Sequence, residues 1–282
     1  MKKVILVSFM ALVTMTMMSS CVRINWNNLN SGDWDSTPTQ VPEMNKKTAM
    51  EPFDKVSVAN AFKVIYEQST EHSVRIEAPE QAFKEMTVYV KDGELRIRKA
   101  VKKTSPKVSF SDVKLYVTSP AIKGIEIAGS GMFAASNKVD VANNLNVQIA
   151  GSGQVMLVDM KCIDTYMEIA GSGGIEMGNL VTQNAKAQIA GSGDINLGVM
   201  SCSKFNIEIA GSGDVNSNNI TAGDVRIEIA GSGDVNCNNI TADNVHTEIA
   251  GSGDVTLKGK VKNPTQEIAG SGKVHYEELK TE

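Results

Sequence analysis

The sequence predicts an all-β fold: a right-handed, single-stranded parallel β-helix of ~20-residue coils with a β-rich N-terminal cap. Three observations predict it. The motif Ile-Ala-Gly-Ser-Gly begins at Ile127, Ile149, Ile169, Ile189, Ile209, Ile229, Ile249 and Ile268, at spacings of 22, 20, 20, 20, 20, 20 and 19 residues. Between motifs, apolar and polar residues alternate with the period of two that belongs to strands. No unit has room for a ten-residue amphipathic helix, and the Leu-x-x-Leu-x-Leu frame of leucine-rich repeats is absent. Of the 24 glycines, sixteen lie in the eight Gly-Ser-Gly tripeptides, so the glycine content is periodic rather than low-complexity.

The first element is an address. Lys2 and Lys3 precede an apolar run from Val4 to Met18, which falls short of the ~20 residues a membrane-spanning helix needs. Residues 1–20 are therefore expected to be a signal peptide. Met18-Ser19-Ser20-Cys21 resembles a lipobox, which makes the Cys21 thiol the expected lipidation site and the membrane a partner through that anchor. Residue 22 is Val rather than Asp, so the retention signal of inner-membrane lipoproteins is missing. The expected location is the outer membrane of a Gram-negative bacterium, periplasmic or surface-exposed. Residues 21–50, rich in Asn, Ser, Thr and Pro, read as a flexible tether.

Residues 51–282 read as one β-solenoid domain: a β-rich part over 51–120, repeat coils over 121–276 and a tail over 277–282. In the first part Val56, Val58, Phe62, Val64, Tyr66, Val74 and Ile76 alternate with polar residues. Asp92-Gly93 between two alternating runs is a two-residue hairpin signal. A helix fits only around Pro79 to Lys84. The basic run Arg96, Arg98, Lys99, Lys102, Lys103 and Lys107 reads as a solvated edge, since exposed charges protect strand edges from pairing.

One unit shows how a coil closes. Val225, Ile227 and Ile229 face inward while Arg226 and Glu228 face out. Gly231-Ser232-Gly233 bends the chain, because glycine adopts φ values closed to other residues. Val235 and Cys237 then face inward, Asn238-Asn239 makes a second corner through the left-handed region that Asn tolerates, and Ile240 and Ala242 return to the interior. Stacking turns each position into a ladder. The one after the Gly-Ser-Gly corner is Phe133, Val155, Ile175, Ile195, Val215, Val235, Val255 and Val274.

A net charge of -4 does not suit a nucleic-acid partner. Besides Cys21 there are three cysteines, an odd number that argues against a closed disulfide framework. Cys162 and Cys202 hold equivalent positions two coils apart, about 10 Å at ~4.8 Å per coil, beyond disulfide reach.

The pattern from Phe53 to Lys99, followed by Pro120 and the string of Gly-Ser-Gly turns, resembles the head GIN domain family, which carries the label of auto-transporter adhesins. The resemblance spans roughly residues 53 to 276. It implies a right-handed β-helix on envelope lipoproteins and brings no established catalytic residues.

Candidate sites lie among the outward acids. Asp194, Asp214, Asp234 and Asp254 form one ladder and are the only candidates for a metal, Ca²⁺ being the cation that convergent carboxylates favour. The spacing speaks against it. The Ca²⁺-binding nonapeptide coil needs a nine-residue period, and an EF-hand begun at Asp214 has Asn219 at its glycine position and Val225 at its glutamate position. Turn capping is the expected role, and no cofactor is expected. A second ladder runs through Glu168, Glu208, Glu228 and Glu248, interrupted by Gln188. Glu208, Arg226, Glu228, His246 and Glu248 make the expected ligand surface. Of the three histidines, only His246 and His275 are near enough in coil position to share a face. A catalytic constellation should break the symmetry of the repeat, and these acids recur coil after coil. The sequence thus points to a non-enzymatic cell-envelope lipoprotein presenting a rigid surface for binding or adhesion, with a glycan or protein ligand. The alternatives are a polysaccharide-active β-helix enzyme and an envelope assembly scaffold.

Overall fold

Residues 42–100, 108–141 and 143–277 are described by the structure, a computed structural model. The signal peptide, Cys21, the first part of the tether, Lys102, Lys103, Lys107 and the tail from residue 278 lie outside the described residues.

The repeat segment forms a β-solenoid of about 8 turns. Its N-terminal part contains β1 (Lys47–Ala49), β2 (Lys55–Ala59), β3 (Lys63–Gln68), β4 (Ser73–Glu77), α1 (Glu80–Lys84), β5 (Met86–Lys91), β6 (Glu94–Lys99) and β7 (Lys114–Ser119). The coils begin with β8 (Gly124–Gly129), β9 (Met132–Ala135), β10 (Val139–Asp140), β11 (Leu145–Gly151), β12 (Gln154–Lys161) and β13 (Asp164–Gly171). They continue through β14 (Gly174–Val181), β15 (Asn184–Gly191), β16 (Asp194–Ser201) and β17 (Lys204–Gly211). The last are β18 (Val215–Gly231), β19 (Val235–Gly251), β20 (Val255–Gly270) and β21 (Val274–Glu277).

Two stacks of parallel strands run the length of the solenoid, one on each side of the Gly-Ser-Gly corner. Before the corner, β6, β2, β8, β11, β13, β15 and β17 pair in that order and lead into β18, β19 and β20. After it, β7, β3, β9, β12, β14 and β16 do the same. Both stacks start with antiparallel strands, β5 on β6 and β4 on β7. β5 and β6 are joined by a short hairpin, a connection open to antiparallel strands and not to parallel ones, whereas β4 and β7 are distant in sequence. The Asp92-Gly93 hairpin and the helix both lie where the sequence places them, with Asp92 and Gly93 at φ 54° and 75°.

The expected tether boundary at residue 50 falls too late. Lys47–Ala49 pairs antiparallel with β4, and Met50 is buried. Three residues with one apolar anchor give too little periodic signal to read as a strand.

The corner explains the repeat. The first glycine of each tripeptide has positive φ, from 117° at Gly129 to 145° at Gly251. A Cβ on Gly211 would stand 2.2 Å from the Gly191 carbonyl oxygen, and one on Gly213 2.1 Å from that of Gly193. Between them the Ser212 N–H donates to Gly191 O at 2.8 Å, continuing the ladder through the bend. The post-turn ladder is buried from Phe133 to Val255, and only Val274, at the end of the stack, is half-buried. Burying each such side chain is worth roughly 1.5–3 kcal/mol, so a continuous interior row holds neighbouring coils together. Aromatic side chains fill the interior where the cap meets the first coil: Tyr66 stacks on Phe133 at 5.6 Å and Phe62 meets Phe110 at 4.8 Å.

The second corner differs from expectation. Asn238 and Asn239 are not among the residues with positive φ. Two consecutive side chains simply face outward there, and the Asn239 amide donates to Asn219 Oδ1 one coil away at 2.9 Å. Asparagine is used for its stacked amides rather than for left-handed backbone. The left-handed asparagine of the corner row is Asn60 (φ 78°), one residue beyond the Ala59–Ala128 pair.

Candidate binding surface

Alternation along each strand sends every second side chain outward, and parallel register lines these up into rows. Before the Gly-Ser-Gly corner one row reads Glu126, Gln148, Glu168, Gln188, Glu208, Glu228, Glu248 and Glu267. Beside it run Tyr166, Lys186, Asn206, Arg226, His246 and Thr265. The five residues expected to form the ligand surface are thus brought together on one face. Each is also committed to a neighbouring side chain. Arg226 pairs with Glu228 and, at 2.7 Å, with Glu248. His246 Nε2 lies 2.7 Å from the same Glu248 carboxylate, and Lys186 lies 2.8 Å from Glu208. Gln148 donates to Glu168 at 2.8 Å, and Gln188 donates to Glu208. The hydrogen bond to Glu228 holds the Arg226 guanidinium above its ordinary pKa. Burial, with Glu168 beside it, pushes the Tyr166 hydroxyl up. At the other end of the row, burial raises Glu126, reinforced by Glu94 and opposed by Arg98, Arg96 and Lys55.

After the corner the outward rows are built differently. Each aspartate of the expected metal ladder accepts a backbone N–H from the next coil, Asp214 taking that of Asp234 at 2.9 Å. Among the described residues, no group of three or more His, Cys, Asp or Glu is arranged to hold a metal. Two positions further on, amides stack: Asn216 donates to Asn196 at 3.2 Å, and Asn236 to Asn216 at 3.1 Å.

Here a groove of about 560 Å³ opens, lined from β9, β12, β14, β16 and β18. Its floor is the strand between two outward rows. One row is Ala134, Met156, Glu176, Asn196 and Asn216. The other contains Val158, Gly178, Gly198 and Asn218. Gly178 and Gly198 leave the second wall without side chains. A Cβ on either would lie 2.3 or 2.2 Å from the carbonyl oxygen of the coil before. The sequence reading missed this site. Its one signal was two glycines outside the Gly-Ser-Gly motif, since an isolated strand glycine marks a close backbone approach.

The three histidines are dispersed. His72 Nδ1 accepts the Phe53 N–H at 3.2 Å in the cap. His246 lies before the corner on β19 and His275 after it on β21, so the two do not share a face as the sequence suggests. Cys162, Cys202 and Cys237 are free thiols, and burial pushes Cys202 up to about 11 and Cys237 up to about 12. No helix among the described residues is long and apolar enough to cross a membrane.

Fold and surface together define a parallel β-solenoid whose outward faces are ladders of polar side chains. The chain belongs to the family described as "Putative auto-transporter adhesin, head GIN domain", whose model matches residues 52–219 and 205–282. Solved structures share the fold. A "putative adhesin" from Parabacteroides distasonis superposes with a TM-score of 0.74 at 19% identity, covering 82% of this chain and 95% of that one. A "putative adhesin" from Parabacteroides merdae gives 0.71 at 20% identity, with 84% and 99% covered. A "putative lipid binding protein" from Parabacteroides distasonis gives 0.70 at 26% identity, with 85% and 98% covered. No curated protein matches the chain.

Proposed function

We propose that the chain is a non-enzymatic cell-envelope lipoprotein, held at the outer membrane through Cys21, whose rigid solenoid surface binds a glycan or protein in adhesion. The observation that carries this reading is the in-register recurrence of outward side chains from coil to coil. Equivalent groups every ~4.8 Å on a hydrogen-bonded scaffold suit a repetitive or extended partner, and little order is lost on binding. The adhesin label of the family and of two structural neighbours points the same way. In the glutamate ladder before the corner, Glu168, Glu208, Glu228 and Glu248 are paired with neighbouring Lys, Arg, His and Gln.

Two measurements test the reading. Fractionated cells should hold the wild-type chain in the membrane and release Cys21→Ala; a membrane-bound variant contradicts the anchor. The purified chain should retain envelope polysaccharide or intact cells without shortening the polymer. Shortening that is abolished by changing one outward acid would make it an enzyme.

A further inference from the structure

We infer that the groove over Gly178 and Gly198 is the binding site for a neutral, hydroxyl-rich glycan chain lying along the solenoid axis. This inference rests on the binding role proposed above and assigns that role to one place.

The groove has the size of a ligand site, since its volume of about 560 Å³ falls within the roughly 300–1,000 Å³ of small-molecule clefts. It crosses five successive strands, about 19 Å at ~4.8 Å per step, which suits a short linear chain better than a compact ligand. Strand pairing on both sides fixes its floor, so the site is preformed.

Its chemistry selects the ligand class. No Lys, Arg or His lines the groove, and its one charged group is Glu176, so an anionic ligand would meet repulsion without a counter-charge. Three primary amides line it, Asn196 and Asn216 in one row and Asn218 in the other, each able to donate and accept. The amide ladder runs one way: Asn236 donates to Asn216 and Asn216 to Asn196. The Asn196 amide at its end and the Glu176 carboxylate, its register partner one coil before, are both exposed to the groove. Sugar hydroxyls both donate and accept, and so can bond an amide and a carboxylate side by side. Ala134, Met156 (40% exposed) and Val158 (46% exposed) form the apolar end, where the C–H face of a sugar ring can pack.

The test is calorimetric titration of the full chain with neutral linear hexasaccharides of glucose, mannose and galactose. Heparin and phosphatidylglycerol vesicles serve as the anionic and lipid arms. At least one neutral hexasaccharide should bind. Asn196→Ala and Asn218→Ala should each weaken it about tenfold, the scale of one or two lost hydrogen bonds. Ala134→Arg should obstruct the apolar end and weaken binding at least as much. Asn244→Ala, the same amide chemistry before the corner, should change nothing, and unchanged melting of all four variants excludes misfolding. Hexasaccharide binding that survives the three groove variants overturns the groove and leaves the adhesion role standing. Vesicle binding lost on Ala134→Arg, with no hexasaccharide bound, overturns the glycan in favour of a lipid. A chain that holds cells but none of the probes overturns the groove alone, and one that holds neither overturns both readings.

Discussion

The carboxylate of Asp234 accepts the backbone N–H of Asp254, one coil further on, at 2.7 Å. The same bond joins Asp194 to Asp214 at 3.2 Å and Asp254 to Lys273 at 2.8 Å. In earlier coils the equivalent N–H donates to a glycine carbonyl instead, as from Gly174 to Gly153 at 3.0 Å. The aspartate ladder is therefore a set of corner caps. Repulsion between unit charges ~5 Å apart costs about 0.8 kcal/mol in water, while a hydrogen bond to a charged group contributes roughly 1.5–3 kcal/mol. The cap outweighs the repulsion.

Asp234→Asn keeps an oxygen acceptor at the same place and should melt within a degree or two of wild type. Asp234→Ala removes the acceptor and should cost about 1–3 kcal/mol in denaturant unfolding. Millimolar Ca²⁺ should leave the melting temperature of the wild type unchanged. A rise with Ca²⁺ that disappears on chelation would show the ladder acting as a cation site.

Glycine is required at the corner and not merely tolerated. Gly211→Ala combines φ of 138° with a Cβ 2.2 Å from the Gly191 carbonyl and should cost about 3 kcal/mol or more. Gly174→Ala, whose nearest neighbour would be 3.9 Å away, should be nearly neutral by the same measurement.

Two interior hydroxyls disturb the apolar rows. Thr247 Oγ1, on a fully buried residue, and Ser217 Oγ have no hydrogen-bond partner among the described residues. Thr247→Val and Ser217→Ala should each raise stability by about 1 kcal/mol, seen as a higher melting temperature, because an unsatisfied buried hydroxyl is removed.

Glu126 makes stability depend on pH. Its folded-state pKa is raised above the ordinary 4.5, first by burial and then by Glu94. The folded chain thus holds this proton more tightly than the unfolded chain, and stability from this group is present at low pH and lost as pH rises through the folded value. Glu126→Gln should be more stable than wild type at pH 7, and the advantage should shrink as pH falls toward 4.5. An advantage that is flat from pH 7 to pH 4 would show the carboxyl to be unperturbed.

Much of this molecule is legible in the sequence because the demand at each corner is local and is repeated. A backbone that must turn with positive φ under a neighbouring carbonyl admits only glycine, so Gly129 to Gly270 announce themselves. The inward rows follow from alternation on either side. What escapes is whatever depends on the difference between coils. Gly178 and Gly198 acquire meaning only beside Val158 and Asn218, once the register is known. Glu248 looks like a free acid until Arg226 and His246 are placed beside it. Asn238 and Asn239 carry a turn-former's identity but serve their neighbours' amides. The strand at Lys47–Ala49 needs β4, distant in sequence, to exist at all.

The repeat specifies the corner of a coil, and the proposed binding lies in the outward residues between corners. Retention of the full chain on immobilised envelope polysaccharide tests it most directly, comparing wild type with an Asn196→Ala, Asn218→Ala double variant. Retention should be lost at an unchanged melting temperature. Full retention by that variant would contradict it.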